Sequence, residues 1–394
     1  MLQAKSNGGE IITLATLSKE EIDVQRKVSQ FHCPTCKEPV IIKAGQMVVP
    51  HFAHKSKVNC PSNEGGEGPY HEKGKLLLYQ WLKLQHLQVE LEVYLKEIKQ
   101  QPDLLLKINN RRIAIEFQCA RISINQIQAR NAGYQKIGII PIWILGANQF
   151  QRKGQYHLKI DQFTSQFMHQ FSASFPLKLF YFCPDAIQLT TFQNIYLTKT
   201  KLAIGKPDYK KLENIRFTDL FLKHEFTEKE LYELWKKEKK KFRLQPRNHL
   251  YGKEREWQQW LYLKQTHLEY LPSIIYLPIS EQYKMNTPLW NWQSRLCIEV
   301  INPLPLGAEF SINRCEFVLR NHFHQSNHFP LAKSTVNPIN QYLYLLEQLK
   351  LIKQRSPHHF IKINPIEFHQ HIEQSINSDT LIMNELIISS KNKI

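Results

Sequence analysis

Asp103, Glu116 and Gln118 are the first residues in this chain whose types and spacing could do chemistry. Residues 101–118, QPDLLLKINNRRIAIEFQ, read as a β-hairpin: Leu104, Leu105 and Leu106 form one apolar run, Asn109 and Asn110 supply the turn, and Ile113, Ala114 and Ile115 form the second run. A hairpin this short brings Asp103, just after Pro102, back to Glu116. Period-two alternation sends Glu116 and Gln118 to one face. Two carboxylates meeting at the end of an apolar ribbon are costly unless a cation neutralises them. Oxygen ligands of that hardness suit Mg²⁺ or Mn²⁺. Solvent-facing acids are the plainer alternative.

A second set of chemical groups lies upstream. Cys33 and Cys36 have C-x-x-C spacing, which lets two thiolates grip one tetrahedral metal from a tight turn. His54 and Cys60 complete an expected Cys₃His site for a structural Zn²⁺, with His51 a rival for His54. A redox C-x-x-C without metal is the alternative. Residues 51–54, HFAH, read as a strand or helix start with Phe52 inward.

The flanks of the hairpin place it in a larger unit. A helix is expected over residues 70–87, a strand over 89–94, an amphipathic helix from Ser123 to near Gly138, and a strand over 139–145. The order α-β-β-β-α-β describes a restriction-endonuclease-like core. The D…E-x-Q arrangement resembles the PD-(D/E)xK nuclease motif, with Gln118 where lysine usually stands. Glutamine there could orient a water but cannot act as a base. Jointly, CPTC at 33–36, HFAH at 51–54, YHEKGK at 70–75, PD at 102–103, IEFQC at 115–119, and Arg130 and Tyr134 before WILG at 143–146 resemble the competence protein CoiA family. The motif-level resemblance covers roughly residues 30–150.

That resemblance implies a metal-dependent nuclease-like factor acting on single-stranded or branched DNA during natural transformation, beside recombinase and helicase proteins. It also implies that His71 and Lys75, which share a helix face at i and i+4, border the catalytic groove. Spacing alone reads them as surface residues on a helix whose core face is Leu78, Trp81 and Leu82. Glu72 lies off that face. Glu92 is either a third carboxylate or solvated, since Val89, Leu91 and Val93 alternate with it. Arg130 and Tyr134, one turn apart, read as a hydrogen-bonding pair between helix and sheet, with a phosphate clamp by Arg130 as the alternative. If the hairpin is a nuclease site, Asp103 and Glu116 hold the ion with the Phe117 carbonyl, Gln118 positions water, and Lys75 or His71 stabilises phosphate charge.

A chain of 394 residues suggests more than one domain. The expected divisions are a zinc-binding domain over 1–65, a nuclease-like domain with β extension over 66–205, and a mainly α-helical basic domain over 206–394. The fold class is α/β. Hydrophobic content of 42% and charged content of 22% fit a globular protein, and a net charge of +17 fits a polyanionic partner. An apolar run long enough to span a membrane is not found, and residues 1–18 do not read as a secretory signal. Seven cysteines, three clustered near the N-terminus and four scattered, fit a reducing cytoplasm rather than a disulfide framework.

Local readings fill in the rest. A strand is expected over 10–17, and Ser18 with Glu21 forms a capping-box pattern. A hairpin turn is expected at 44–46 and a Gly-rich linker at 59–68. Strands are expected at 177–183, 187–192 and 194–204. Residues 226–243 form a basic helix capped by Thr227 and Glu230; Trp235 and Phe242 among its lysines suit phosphate contacts plus stacking, or the lysines form a solvated face. The aromatic segments 256–263 and 289–296 read as helices packed on each other. His322, His324 and His328 match no metal spacing, and 372–394 carries an amphipathic run. A non-catalytic DNA-binding recombination factor and a protein–protein adaptor remain the competing functions.

Overall fold

The computed structural model describes residues 1–45, 48–55, 60, 68–245, 252–325 and 328–391. Gln46 of the expected 44–46 turn, and most of the expected linker at 59–68, lie outside the described residues.

The N-terminal part is a small antiparallel sheet with one helix: β1 (Gln3–Ser6), β2 (Ile11–Thr13), α1 (Lys19–Val28), β3 (Phe31–His32), β4 (Pro39–Gly45) and β5 (Val48–His54), in the order β2-β1-β3-β4-β5. The strand expected over 10–17 ends at Thr13, where a 3₁₀ turn takes over. Ser18 and Glu21 form the expected reciprocal cap of α1. The apolar core here is slight: Ala4, Leu14, Ile22, Phe31, Val40 and Phe52 are its main buried members apart from two cysteines. A core of that size does not hold a domain without a staple.

The middle part begins with α2 (Pro69–Leu84), β6 (Gln88–Leu91), β7 (Leu104–Ile108), β8 (Arg111–Gln118), α3 (Ile124–Lys136) and β9 (Ile139–Gly146), the expected helix and strand order. It continues through β10 (His157–Lys159), α4 (Gln162–Ser165), β11 (Lys178–Cys183), β12 (Gln188–Lys199) and β13 (Leu202–Lys211). The sheet runs β10-β13-β12-β11-β9-β8-β7-β6. Asn109 takes a left-handed φ of +50° in the β7–β8 turn, a conformation asparagine tolerates. Where two strands were expected at 187–192 and 194–204, β12 runs through the expected break as one bulged strand with Asn194 at φ +56°, and the second expected strand is instead divided by the β12–β13 turn after Lys199. A bulge absorbs one extra residue without ending the pairing.

Alternation along β7 and β8 gives the sheet two apolar faces. Leu78, Trp81 and Leu82 of α2 pack on Leu104, Leu106, Ile113, Ile115 and Phe117. On the other face Tyr134 of α3 packs with Leu105 and Ala114, and Ile127 packs with Trp143 and Leu145.

Buried His169, beside Phe171 and Phe180, accepts the Trp143 amide at Nε2, 3.0 Å away. Burial lowers its pKa to about 3, so the ring is neutral in the folded chain. The unfolded chain binds a proton near pH 6.5, and the folded chain does not until about pH 3. Stability is therefore present above pH 6.5 and falls as pH drops, by up to about 1.4 kcal/mol per unit. His169→Gln, which keeps an acceptor, should flatten the decline in urea midpoint between pH 7 and pH 5. An unchanged slope would place the acid sensitivity elsewhere.

The C-terminal part comprises α5 (Glu228–Leu244), α6 (Gly252–Leu263), α7 (Leu289–Arg295) continued by a π-helical turn over Leu296–Ile301, β14 (Glu309–Ser311), α8 (Ile312–Leu319), α9 (Pro338–Gln348), β15 (Ile352–Ser356), β16 (His359–Lys362) and α10 (Ile372–Lys391). The small sheet β14-β16-β15 adds to the expected helices. Helices α6 and α7 meet as expected: the Trp257 indole donates to Ser294 Oγ at 2.9 Å and its ring lies 6.5 Å from that of Trp290.

The reading of Trp235 and Phe242 as stacking platforms is wrong. Both are core residues of the C-terminal part, and Trp235 donates to the Tyr276 carbonyl. Lys239 and Arg243 of the same helix turn inward to Asp379. Only one stripe of the basic run, including Lys237, Lys240 and Lys241, is exposed. A 3.6-residue period divides any such run between core and solvent.

Candidate functional site

The hairpin ends meet as expected. The Leu104–Ile115 pairing sets Asp103 opposite Glu116 at the open end of the ribbon. The Phe117 amide donates to Asp103 Oδ2 at 2.8 Å, fixing that carboxylate.

From there the two acids turn toward different helices. Asp103 faces α2, with His71 Nε2 at 3.4 Å from Oδ2 and Lys75 Nζ at 3.8 Å from Oδ1. Glu116 faces α3: Arg130 Nη2 lies 2.5 Å from Oε1, and the Tyr134 hydroxyl donates to the same oxygen. Lys75 and Arg130 supply compensating charge from within the chain, which lowers the cost of burying the acids.

The electrostatics of the two acids differ. Burial raises the Asp103 pKa, but His71, Lys75 and the Phe117 amide outweigh it and hold the group below the usual carboxylate range. Burial dominates at Glu116 and raises it to about 7; Arg130 pulls it down, Asp103 pushes it up, and the Tyr134 hydroxyl pulls it down.

His71 and Lys75 are buried, not surface residues. Helix α2 approaches the sheet closely because Gly74 has no side chain. A Cβ there would overlap the Phe117 ring, which also stacks on His71 with centroids 5.6 Å apart. Gly74→Ala should cost about 1–3 kcal/mol through overpacking, despite alanine's better helix propensity. A urea titration that finds no loss would mean that the ring simply moves aside.

Gln118 is turned along its own chain, its amide donating to the Ala120 carbonyl at 2.7 Å. Arg130 and Tyr134 are the expected helix-to-sheet pair, with Glu116 as their target. Arg130 also donates to the Gln101 carbonyl at 3.0 Å.

Two further acids enter the site, Glu72 against its helix spacing and Glu92 against only one of its two expected placements. Glu72 is buried 3.3 Å from Lys75, although it lies off the His71–Lys75 face by simple spacing. Glu92 is buried rather than solvated. Strand β6 ends at Leu91, and Glu92 adopts φ +51°, which breaks the alternation. Its carboxylate lies 2.5 Å from Lys75 Nζ and accepts the amides of Leu2 and Gln3 at 2.9 and 3.2 Å. No alternation rule identifies a residue that leaves the strand by a left-handed turn.

The second group of chemical residues also converges. Ligand atoms of Cys33, Cys36, His54 and Cys60 lie within 4.8 Å of one another. Cys33 Sγ and Cys60 Sγ are 3.8 Å apart, and Cys36 Sγ lies 3.2 Å from His54 Nε2. Zinc–sulfur bonds of 2.3 Å at tetrahedral angles imply sulfurs about 3.8 Å apart. Three thiols and an imidazole at that spacing fit a closed zinc site. Burial first, and then the Cys60 and Cys33 thiols, raise Cys36 to about 12 against the Glu38 backbone contact. His51 points elsewhere, its Nδ1 being 2.9 Å from the Val49 carbonyl oxygen.

Residues 14–63 match the family model described as Competence protein CoiA, N-terminal domain; residues 67–225 match its nuclease-like domain, and residues 231–376 its C-terminal domain. Competence protein CoiA of Bacillus subtilis (strain 168) is 30% identical over 309 residues, spanning 76% of this chain and 80% of that protein. No solved structure matches the chain. Among the described residues, no helix is long and apolar enough to cross a membrane. On three consecutive domain matches and this relative, the chain belongs to the competence protein CoiA family.

Proposed function

We propose that this chain is a divalent-metal-dependent nuclease-like factor acting on DNA taken up during competence. The observation that supports this most is the pairing of Asp103 with Glu116 at the open end of the hairpin. Each acid is held chiefly through one oxygen: Oδ2 by Phe117 and His71, and Oε1 by Arg130 and Tyr134. Asp103 and Glu116 would hold Mg²⁺ or Mn²⁺ between them. A bound ion would supply Lewis acidity toward a phosphate and a lowered pKa for its water. Lys75 and His71 place positive or proton-donating groups beside Asp103, suited to charge developing on phosphate. Arg130 and Tyr134 orient Glu116 and fix which oxygen it offers.

The net charge of +17 and the exposed lysines of α5 favour a nucleic acid over other polyanions of smaller extent. We assign the chain to the cytoplasmic side of uptake, where single-stranded or branched DNA meets recombinase and helicase proteins. The zinc-loaded Cys33–Cys36–His54–Cys60 cluster would serve as the staple of the N-terminal part.

One observation favours a second reading. Gln118 stands at the lysine position, and its amide is engaged by Ala120. A protein lacking that lysine could bind DNA on a nuclease scaffold without cutting it. Labelled single-stranded and branched DNA incubated with purified protein and Mn²⁺ separates the two. Metal-dependent cleavage supports the first reading, and salt-sensitive binding without cleavage supports the second. Absence of both would leave a protein–protein adaptor.

A further inference from the structure

Glu92 does more than pair with Lys75. It is a non-glycine residue at φ +51°, buried, and bonded through every polar part. Its amide donates to the Asp103 carbonyl at 3.0 Å, and its carbonyl accepts from Gln101 Nε2 at 2.7 Å. Its carboxylate takes Lys75 on one side and the Leu2 and Gln3 amides on the other. Unfavourable backbone kept in place by so many partners is the pattern found where position matters.

The partners on the far side belong to the sheet that carries the cysteine knuckle. Gln3 begins β1, which pairs with β3, and β3 runs into Cys33. The Phe52 amide, two residues before His54, donates to the Met1 carbonyl at 2.9 Å. A second strut leaves the knuckle turn itself: Thr35 Oγ1 donates to Gln101 Oε1 at 3.3 Å. Gln101 precedes Pro102 and Asp103, and its carbonyl receives Arg130, the residue that holds Glu116.

We infer that Glu92 and Gln101 are positioning residues that transmit zinc occupancy of the Cys₃His knuckle to the Asp103–Glu116 site. With the knuckle closed, β1 and Thr35 hold the loop between β6 and β7, and that loop holds Asp103 directly and Glu116 through Arg130. With the knuckle open, Glu92 loses the amides that offset its strained backbone, and the loop loosens. The importance of this coupling rests on the proposed reading of the carboxylates, but its geometry does not.

Hydrogen exchange on the full chain, zinc-loaded and after chelation, tests it. Chelation should speed exchange in residues 92–105 and at the Phe117 amide by at least about tenfold, with α5 and α10 as unchanged references. A chain carrying Glu92→Gly and Thr35→Val should still bind one equivalent of Zn²⁺. Its 92–105 segment should exchange fast in both states, with a ratio near one. Glycine accepts φ +51° without strain, so a purely backbone role for residue 92 would survive that change. Glu92→Gln, which keeps an acceptor for the β1 amides, should retain part of the zinc response. Wild-type exchange that ignores chelation, or a double variant with the wild-type response, overturns the coupling. Mn²⁺ binding is measured in parallel on the same samples. Coupled exchange without Mn²⁺ binding would sink only the nuclease reading; Mn²⁺ binding with uncoupled exchange would sink only this inference.

Discussion

Asp103→Asn and Glu116→Gln should each reduce Mn²⁺-dependent DNA cleavage by at least about a hundredfold, because each removes a charged oxygen ligand from the proposed ion. The amide variants are preferred to alanine. The amide oxygen introduced by Asp103→Asn can still accept the Phe117 amide, and the one introduced by Glu116→Gln can still accept from Arg130 and Tyr134. Glu116→Ala would instead leave the Arg130 guanidinium buried against an empty space, at a cost of about 3–5 kcal/mol. A loss of activity in that variant would report folding, not chemistry. Both amide variants also remove a charge facing Lys75 or Arg130, so their thermal midpoints should fall, though by less than that of Glu116→Ala, while cleavage disappears. Cleavage that persists in both would assign the activity to another site or a contaminant and end the nuclease reading of this hairpin.

The largest effect on folding is expected at the knuckle. Cys33→Ser with Cys36→Ser should abolish zinc binding and release the N-terminal sheet, while the C-terminal helices remain intact. The physical reason is the imbalance between core and metal. A handful of buried apolar residues supports that sheet, whereas a structural zinc contributes on the order of 10 kcal/mol in comparable small sites. Limited proteolysis should cut within residues 1–60 of the variant and spare residues 228–391. A variant that keeps residues 1–60 protected, with no zinc by metal analysis, would show that the sheet is held by its contacts to α2 and Glu92 instead.

Much of the site was legible because it depends on local periodicity. The order of elements from α2 to β9, the hairpin register that joins Asp103 to Glu116, the α1 cap and the three cysteines of the candidate zinc site follow from spacing along the chain, whereas the choice of His54 over His51 came from the fold. Alternation and helical pitch need no knowledge of neighbours. The family could be named for the same reason, since its motifs are short runs of adjacent residues.

Tertiary structure decided how the charges are shared. Which acids are neutralised by Lys75 and which by Arg130 depends on two helices approaching from opposite faces of one sheet. Of the two placements open for Glu92, the buried one prevailed because its own left-handed backbone turned it inward. Trp235 and Phe242 went to the core because a charged helix must still bury one face against its neighbours. Composition specifies how many charges and rings a segment carries, but burial is a property of the pair of surfaces that meet. For that reason the sequence alone determined the reactive residues and their local elements, and only the assembled fold determined which of them face one another.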